Sequence, residues 1–156
     1  MYHFSYDRLT LRSRWKSITK LNYPRTQSTK ITALRCEKEV DGGPIYLKYP
    51  LDLSGTAEQI FYRADGIIEL MILDIINHDL KPEEQFGEPT YFRRRKPEES
   101  NLLNASSINA IFDMIRMLDA EGYPKAFLDM DQFRIEFFEA KFEENLIQAK
   151  VNIKQK

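Results

Sequence analysis

The stretch Thr29-Lys30-Ile31-Thr32-Ala33-Leu34-Arg35-Cys36, continued by Glu39-Val40-Asp41-Gly42-Gly43-Pro44-Ile45-Tyr46-Leu47-Lys48-Tyr49, reads as a strand, a turn and a second strand. Ile31, Ala33 and Arg35 alternate with Thr32, Leu34 and Cys36, and the β-branched content favours extended backbone. A glycine pair before proline punctuates a turn, because glycine tolerates positive φ and proline has no N–H to give a ladder. Loops on a rigid scaffold carry chemistry, so the acidic glycine turn is a candidate site. Asp41 can orient a water, accept a proton or hold an imidazole or amine. It can equally be a turn residue bonding its own backbone. Cys36, inside a strand, reads as a small buried hydrophobe.

Downstream, Thr56-Ala57-Glu58-Gln59 fits a capping box. Ile60, Ala64, Ile67, Ile68, Met71, Ile75 and Ile76 recur at helical spacing, and the helix should end near His78 to Leu80, before Pro82. Gly66 weakens its middle and invites close approach of another element. Residues 81–104 form a polar connector, with a short strand expected at Thr90-Tyr91-Phe92. A second helix should start at Ser106 or Ser107, carry Ile108, Ile111, Phe112, Ile115 and Leu118, and stop at Gly122 and Pro124. Three strands are expected after it: Ala126 to Leu128, Phe133 to Phe138 and Leu146 to Ile153.

Upstream, the first 29 residues lack a clear period. A weak amphipathic helix over Asp7 to Lys20 is the most they support. Residues 1–30 carry seven basic side chains against Asp7, a charge of +6, so the rest of a chain of net −1 carries −7. Such an asymmetry marks a nucleic-acid arm or a tail. Arg93-Arg94-Arg95-Lys96 is a second basic run, either a phosphate grip or a solvated face.

The 156 residues suit one domain or a domain with an appendage, and 42% apolar content excludes global disorder. One cysteine excludes an intrachain disulfide, and His3 and His78 stand too far apart in sequence for a His-rich metal motif. No apolar run spans a membrane, and the first 20 residues are too charged for a secretory signal, so cytoplasmic localisation is expected.

Taken in order, Thr29 to Arg35, Glu39 to Lys48, Thr56 to Ile60 with its helix, Thr90 to Glu98, and the helix ending Met114 to Leu118 resemble the formyltransferase family. That family includes methionyl-tRNA, glycinamide ribonucleotide and sugar N-formyltransferases. The resemblance covers about residues 29–128. It implies an α/β fold: the C-terminal portion of a Rossmann-like catalytic domain, with two strands around the Asp-Gly-Gly-Pro loop, a long helix, a second helix and a small β extension. It implies formyl transfer from the cofactor 10-formyltetrahydrofolate to an amine. The acceptor would be methionyl-tRNA, a nucleotide-linked amino sugar or a small ribonucleotide.

The family site uses an Asn, a His and an Asp. Asp41 corresponds to the Asp, and His3, in His3-Phe4-Ser5, to the His. Glu39, Val40, Gly42 and Gly43 would lie against the folate. The Rossmann-like half that carries the Asn should precede the His, and this chain departs from the family there. The Leu11 to Lys16 codons, read one base out of frame, can spell YGRGGK, a glycine-rich run like the family segment that is missing. The organisation expected is therefore an atypical basic segment at 1–29, frame-shifted relative to the family, a partial catalytic domain at 30–120, and a β extension at 121–156. The chain is expected to be truncated and inactive alone, and to associate through exposed apolar surface. A non-enzymatic basic module binding RNA or a protein partner is the alternative.

Overall fold

The structure, a computed structural model, describes the backbone of residues 2–6 and residues 27–38, 41–87 and 95–156 in full. The helix expected over Asp7 to Lys20, the out-of-frame segment, the strand at Thr90 to Phe92, and the loop residues Glu39 and Val40 lie outside the described residues. The chain divides into two compact units, one of residues 1–54 with 60–93, the other of 55–59 with 94–156.

The first unit holds an antiparallel sheet, β1 (Tyr2–Tyr6), β2 (Ser28–Arg35) and β3 (Ile45–Asp52), in the order β1-β2-β3. β1 was not expected, although Tyr2, Phe4 and Tyr6 alternate with His3 and Ser5 in the period of two that a strand carries. In the central strand Ile31, Thr32, Ala33 and Leu34 are all buried, so both faces of β2 are shielded. Pro50 is tolerated because β3 is an edge strand, where a missing N–H leaves no ladder partner wanting. The β2–β3 register slips between Ala33 and Leu34: Ala33 faces Leu47, Leu34 faces Ile45, and Tyr46 is the extra residue of a bulge.

Helix α1 (Ala57–Asn77) begins as its sequence dictates. Thr56 N–H donates to Gln59 Oε1 at 3.0 Å, and Gln59 N–H donates to Thr56 Oγ1 at 3.3 Å, closing the capping box. It stops where Asp79 takes the left-handed conformation that glycine usually supplies, at φ 45°. Ile60, Ala64, Met71 and Ile75 are buried, whereas Ile76 is 62% exposed. Spacings of four and seven keep the first four on one face, and the step from 75 to 76 turns Ile76 away. Among the described residues no atom lies within 4 Å of where a Cβ on Gly66 would sit, so none of them makes the close approach expected there.

The second unit contains helix α2 (Ile108–Met117) and a sheet of β4 (Ala126–Asp129), β5 (Phe133–Glu143) and β6 (Leu146–Gln155), in that order and antiparallel. Ser107 caps α2, its Oγ accepting from Ala110 N–H at 3.1 Å. The helix ends at Met117 rather than at Gly122. Asp119 ends it by bonding outward: its carbonyl accepts from Glu58 N–H, one carboxylate oxygen accepts from Glu139 N–H at 2.7 Å, and the other pairs with Lys125. Leu102, Met114, Ile115, Leu118 and Ala126 form the core, with Leu128, Phe137, Ala140 and Ile147 packed on it. Ile115 and Met117 are essentially fully buried, each contributing about 1.5–3 kcal/mol of apolar transfer. Glu144 and Asn145, both at positive φ, make the two-residue turn between β5 and β6.

The fold is thus α/β, and the helices and strands expected within the described residues are present. The sheets of the described residues are antiparallel, so the parallel winding of a Rossmann-like half is not what these strands build. No described helix is long and apolar enough to cross a membrane.

Candidate functional site

The acidic glycine loop leaves β2 at Arg35 and enters β3 at Ile45. It is held from both sides. Arg35 N–H donates to the Pro44 carbonyl at 2.8 Å. Gly43 lies so close to β2 that a Cβ there would sit 1.9 Å from the Arg35 carbonyl oxygen. Only glycine fits, and the reason is close backbone approach rather than positive φ. On the other side the Gln85 amide donates to the carbonyls of Asp41 (2.8 Å) and Gly43 (2.6 Å). Ile45 and Glu83 exchange backbone hydrogen bonds of 2.7 and 2.9 Å. A loop clamped in this way loses little entropy when it meets a ligand.

Asp41 takes φ 62°, a left-handed conformation that Asp adopts more readily than bulkier residues, and is half-buried. Gly42 beside it is exposed. Arg35 Nη2 and Glu37 Oε1 pair at 2.8 Å at the foot of the loop. That carboxylate, by its hydrogen bond and its charge, raises the Arg35 pKa, with smaller help from Tyr46 and Glu84.

The backbone of His3 pairs with Leu34, and Leu34 pairs with Ile45. His3 and the exit of the loop therefore stand at the same end of one sheet, two strands apart, about 10 Å by strand spacing. The register joins positions 3 and 41–45, which the sequence separates by some forty residues. Glu39 and Val40 fall outside the described residues.

Three features escaped the sequence. Gln85 acts on the loop across more than forty residues, and nothing in its own neighbourhood announces it. The Tyr46 bulge sits at the mouth of the loop, where bulges re-aim side chains. Cys36 is exposed, not buried, because the chain leaves the sheet at Arg35. In the basic run, Arg93 and Arg94 are outside the described residues. Arg95 is no solvated cation: it donates to the Glu99 carbonyl at 2.9 Å, its Nε is buried with no partner among the described residues, and burial lowers its pKa.

The Asp-Gly-Gly-Pro loop between antiparallel strands and the long capped helix after it are the elements that resemble the formyltransferase family, and similarity to known proteins points to the same family. Residues 97–154 match the family described as methionyl-tRNA formyltransferase, C-terminal domain. A methionyl-tRNA formyltransferase from Clostridium thermocellum is 43% identical over 83% of this chain, with a TM-score of 0.79. The chain spans 58% of that protein's length. HypX from Aquifex aeolicus shares the fold at 15% identity, with a TM-score of 0.60 over 86% of this chain and 25% of its own. A HypX structure in complex with tetrahydrofolic acid aligns at 13% identity and a TM-score of 0.58, over 82% of this chain and 23% of its own. None of the curated proteins matches the sequence. The chain belongs to the formyltransferase family.

Proposed function

We propose that the chain carries the carboxylate half of a site that transfers a formyl group to an amine, and that alone it is an incomplete transferase. The clamped loop around Asp41 carries this reading: Gly43 pressed on Arg35 and the Gln85 amide fix the carboxylate's backbone before any substrate arrives. Such preorganisation is what a group acting on developing charge requires. Asp41 would hold the ring of His3 in one orientation and take up the proton that the attacking amine sheds. The family's cofactor, 10-formyltetrahydrofolate, supplies the formyl group when bound. The loop would meet one edge of it at Gly42, whose exposed bare backbone lies beside half-buried Asp41.

Of the Asn, His and Asp that the family uses, the described side chains at this loop supply the Asp alone. The acceptor is an amine of methionyl-tRNA, a nucleotide-linked amino sugar or a small ribonucleotide, and the likeness to a methionyl-tRNA formyltransferase favours the first. The units proposed are a basic segment at 1–29, a partial catalytic domain at 30–120 and a β extension at 121–156. A cytoplasmic address accords with this chemistry.

The test is a formyl-transfer assay on the purified chain with each acceptor, and a parallel assay on the Asp41→Asn variant. No transfer above the enzyme-free rate is expected. Robust transfer would overturn the incompleteness, and transfer unaffected by Asp41→Asn would also remove Asp41 from the mechanism.

A further inference from the structure

Helix α1 carries apolar residues on two opposite faces. Ile60, Ala64, Met71 and Ile75 are buried on one of them. About half a turn away runs a second row, Tyr62, Gly66, Leu70, Leu73 and Ile76, in steps of four, four, three and three, which spans about 21 Å of the helix. Its four large side chains are between 54% and 71% exposed. A helix packed by one face ordinarily carries charged and polar residues on the opposite one.

Gly66 stands in the middle of this row. Glycine weakens a helix interior, and no atom among the described residues comes within 4 Å of the Cβ it lacks. The space it leaves opens outward between Tyr62 and Leu70, one turn to either side. Such a notch lets a second helix axis come close.

Charge says what kind of helix fits. The one cation of α1, Arg63, is turned toward the end of β3, where it donates to the carbonyls of Asp52 and Ser54. Asp74 is taken by the Tyr49 hydroxyl. Asp65 and Glu69, which border the row, are exposed and meet no cation among the described residues. An apolar row edged by unneutralised carboxylates repels nucleic acid and anionic lipid, and a second copy of the same face would bring carboxylates and no cation.

We infer that this outer face of α1 is a docking site for a cationic amphipathic helix of a partner protein. The partner's apolar residues, at i, i+3, i+4 and i+7, pack about Gly66, and its lysines or arginines lie beside Asp65 and Glu69. The site uses no residue of the Asp41 loop or its clamp, so it stands independently of formyl transfer.

The probe is a fluorescein-labelled helical peptide of Leu, Ala and Lys, with a leucine row flanked by lysines, and its twin with Glu in place of Lys. Fluorescence anisotropy with the full chain at low salt should give a dissociation constant of about 10–100 µM for the Lys peptide, and binding about tenfold weaker for the Glu peptide. Leu73→Ser should weaken the Lys peptide about tenfold. Gly66→Gln supplies a better helix former, so that variant should melt no lower than wild type, yet bind the Lys peptide about fivefold less tightly because the notch is filled. Asp65→Lys combined with Glu69→Lys should reverse the preference, so that the Glu peptide binds the better. Absence of saturable binding by the Lys peptide would overturn the inference. So would a Glu peptide that binds the wild-type chain as tightly, or a folded Gly66→Gln or Leu73→Ser variant that binds the Lys peptide as wild type does.

Discussion

Replacing Gly43 by alanine sets two opposite effects against each other. Alanine restricts the unfolded chain, which at a compatible site stabilises by about 0.4–1 kcal/mol. In the folded loop, however, the new Cβ falls 1.9 Å from the Arg35 carbonyl oxygen and 3.0 Å from its carbon. Ordinary carbon–oxygen contacts lie near 3.3 Å, so loop and strand must separate by roughly 1.4 Å. The obstacle is backbone, and no side-chain rotation relieves it. That separation would stretch the 2.8 Å bond from Arg35 N–H to Pro44 beyond hydrogen-bond reach. A lost buried bond costs about 0.5–1.5 kcal/mol and overpacking about 1–3. After the unfolded-state gain is subtracted, a net loss of about 2–3 kcal/mol remains, which lowers Tm by roughly 5–10 °C in a chain of this size. Thermal melting followed by far-UV circular dichroism reads it directly. Gly66→Ala is the internal control: that position has open space and sits mid-helix, so alanine should gain up to about 1 kcal/mol. A Gly43→Ala melt within about 2 °C of wild type would refute the close-approach account of the loop.

Thr56→Ala removes one arm of the α1 capping box and should cost about 1 kcal/mol in urea denaturation. The Tyr49 hydroxyl donates to Asp74, and this bond raises the tyrosine pKa above its usual value near 10. Its stabilisation is complete below that value and is lost as pH rises through the higher folded-state pKa, so a melt series from pH 9 to 11.5 should show a decline that Tyr49→Phe lacks. Asp129 behaves oppositely: hydrogen bonds from Arg134 hold its carboxyl below the usual range. Its contribution is present above about pH 4 and fades as pH falls, a limb that Asp129→Asn should flatten. Asp119→Ala unties the Glu139 N–H and Lys125 together and should cost about 2 kcal/mol by chemical denaturation.

The helices were legible because their information is local. The 3.6-residue stripes, the Thr56 to Gln59 box and the Ser107 cap lie within a few residues of what they determine. The hairpin strands were legible for the same reason, since period two is read within one strand. Local reading failed where the deciding contact is distant. Asp119 ends α2 early because Glu58, Lys125 and Glu139 claim it, and Gly122 has no part in that. Ile76 and Ile75 look alike in sequence and differ only in direction. At the loop, the glycines announced a turn, but not that Gly43 is required by β2 rather than by its own φ, nor that Gln85 closes the clamp. β1 was legible in principle, since Tyr2, Phe4 and Tyr6 alternate with His3 and Ser5, but five residues are too short a run to stand out, and what the sequence lacks is the partner, β2, which lies more than twenty residues on.

The small piece Gly55–Gln59 belongs to the second unit although most of that unit begins near residue 94. It is moored there by Arg116 Nη1 to the Gly55 carbonyl at 3.0 Å and by Glu58 N–H to the Asp119 carbonyl at 3.2 Å. During synthesis these five residues emerge long before their partners, and at about 5–20 residues per second they wait several seconds for residues 113–119 to follow. Until then the first turn of α1 is a loose end. The second unit therefore cannot be cut out as one continuous piece, and an excision that starts at residue 97, where the family match begins, leaves its mooring behind.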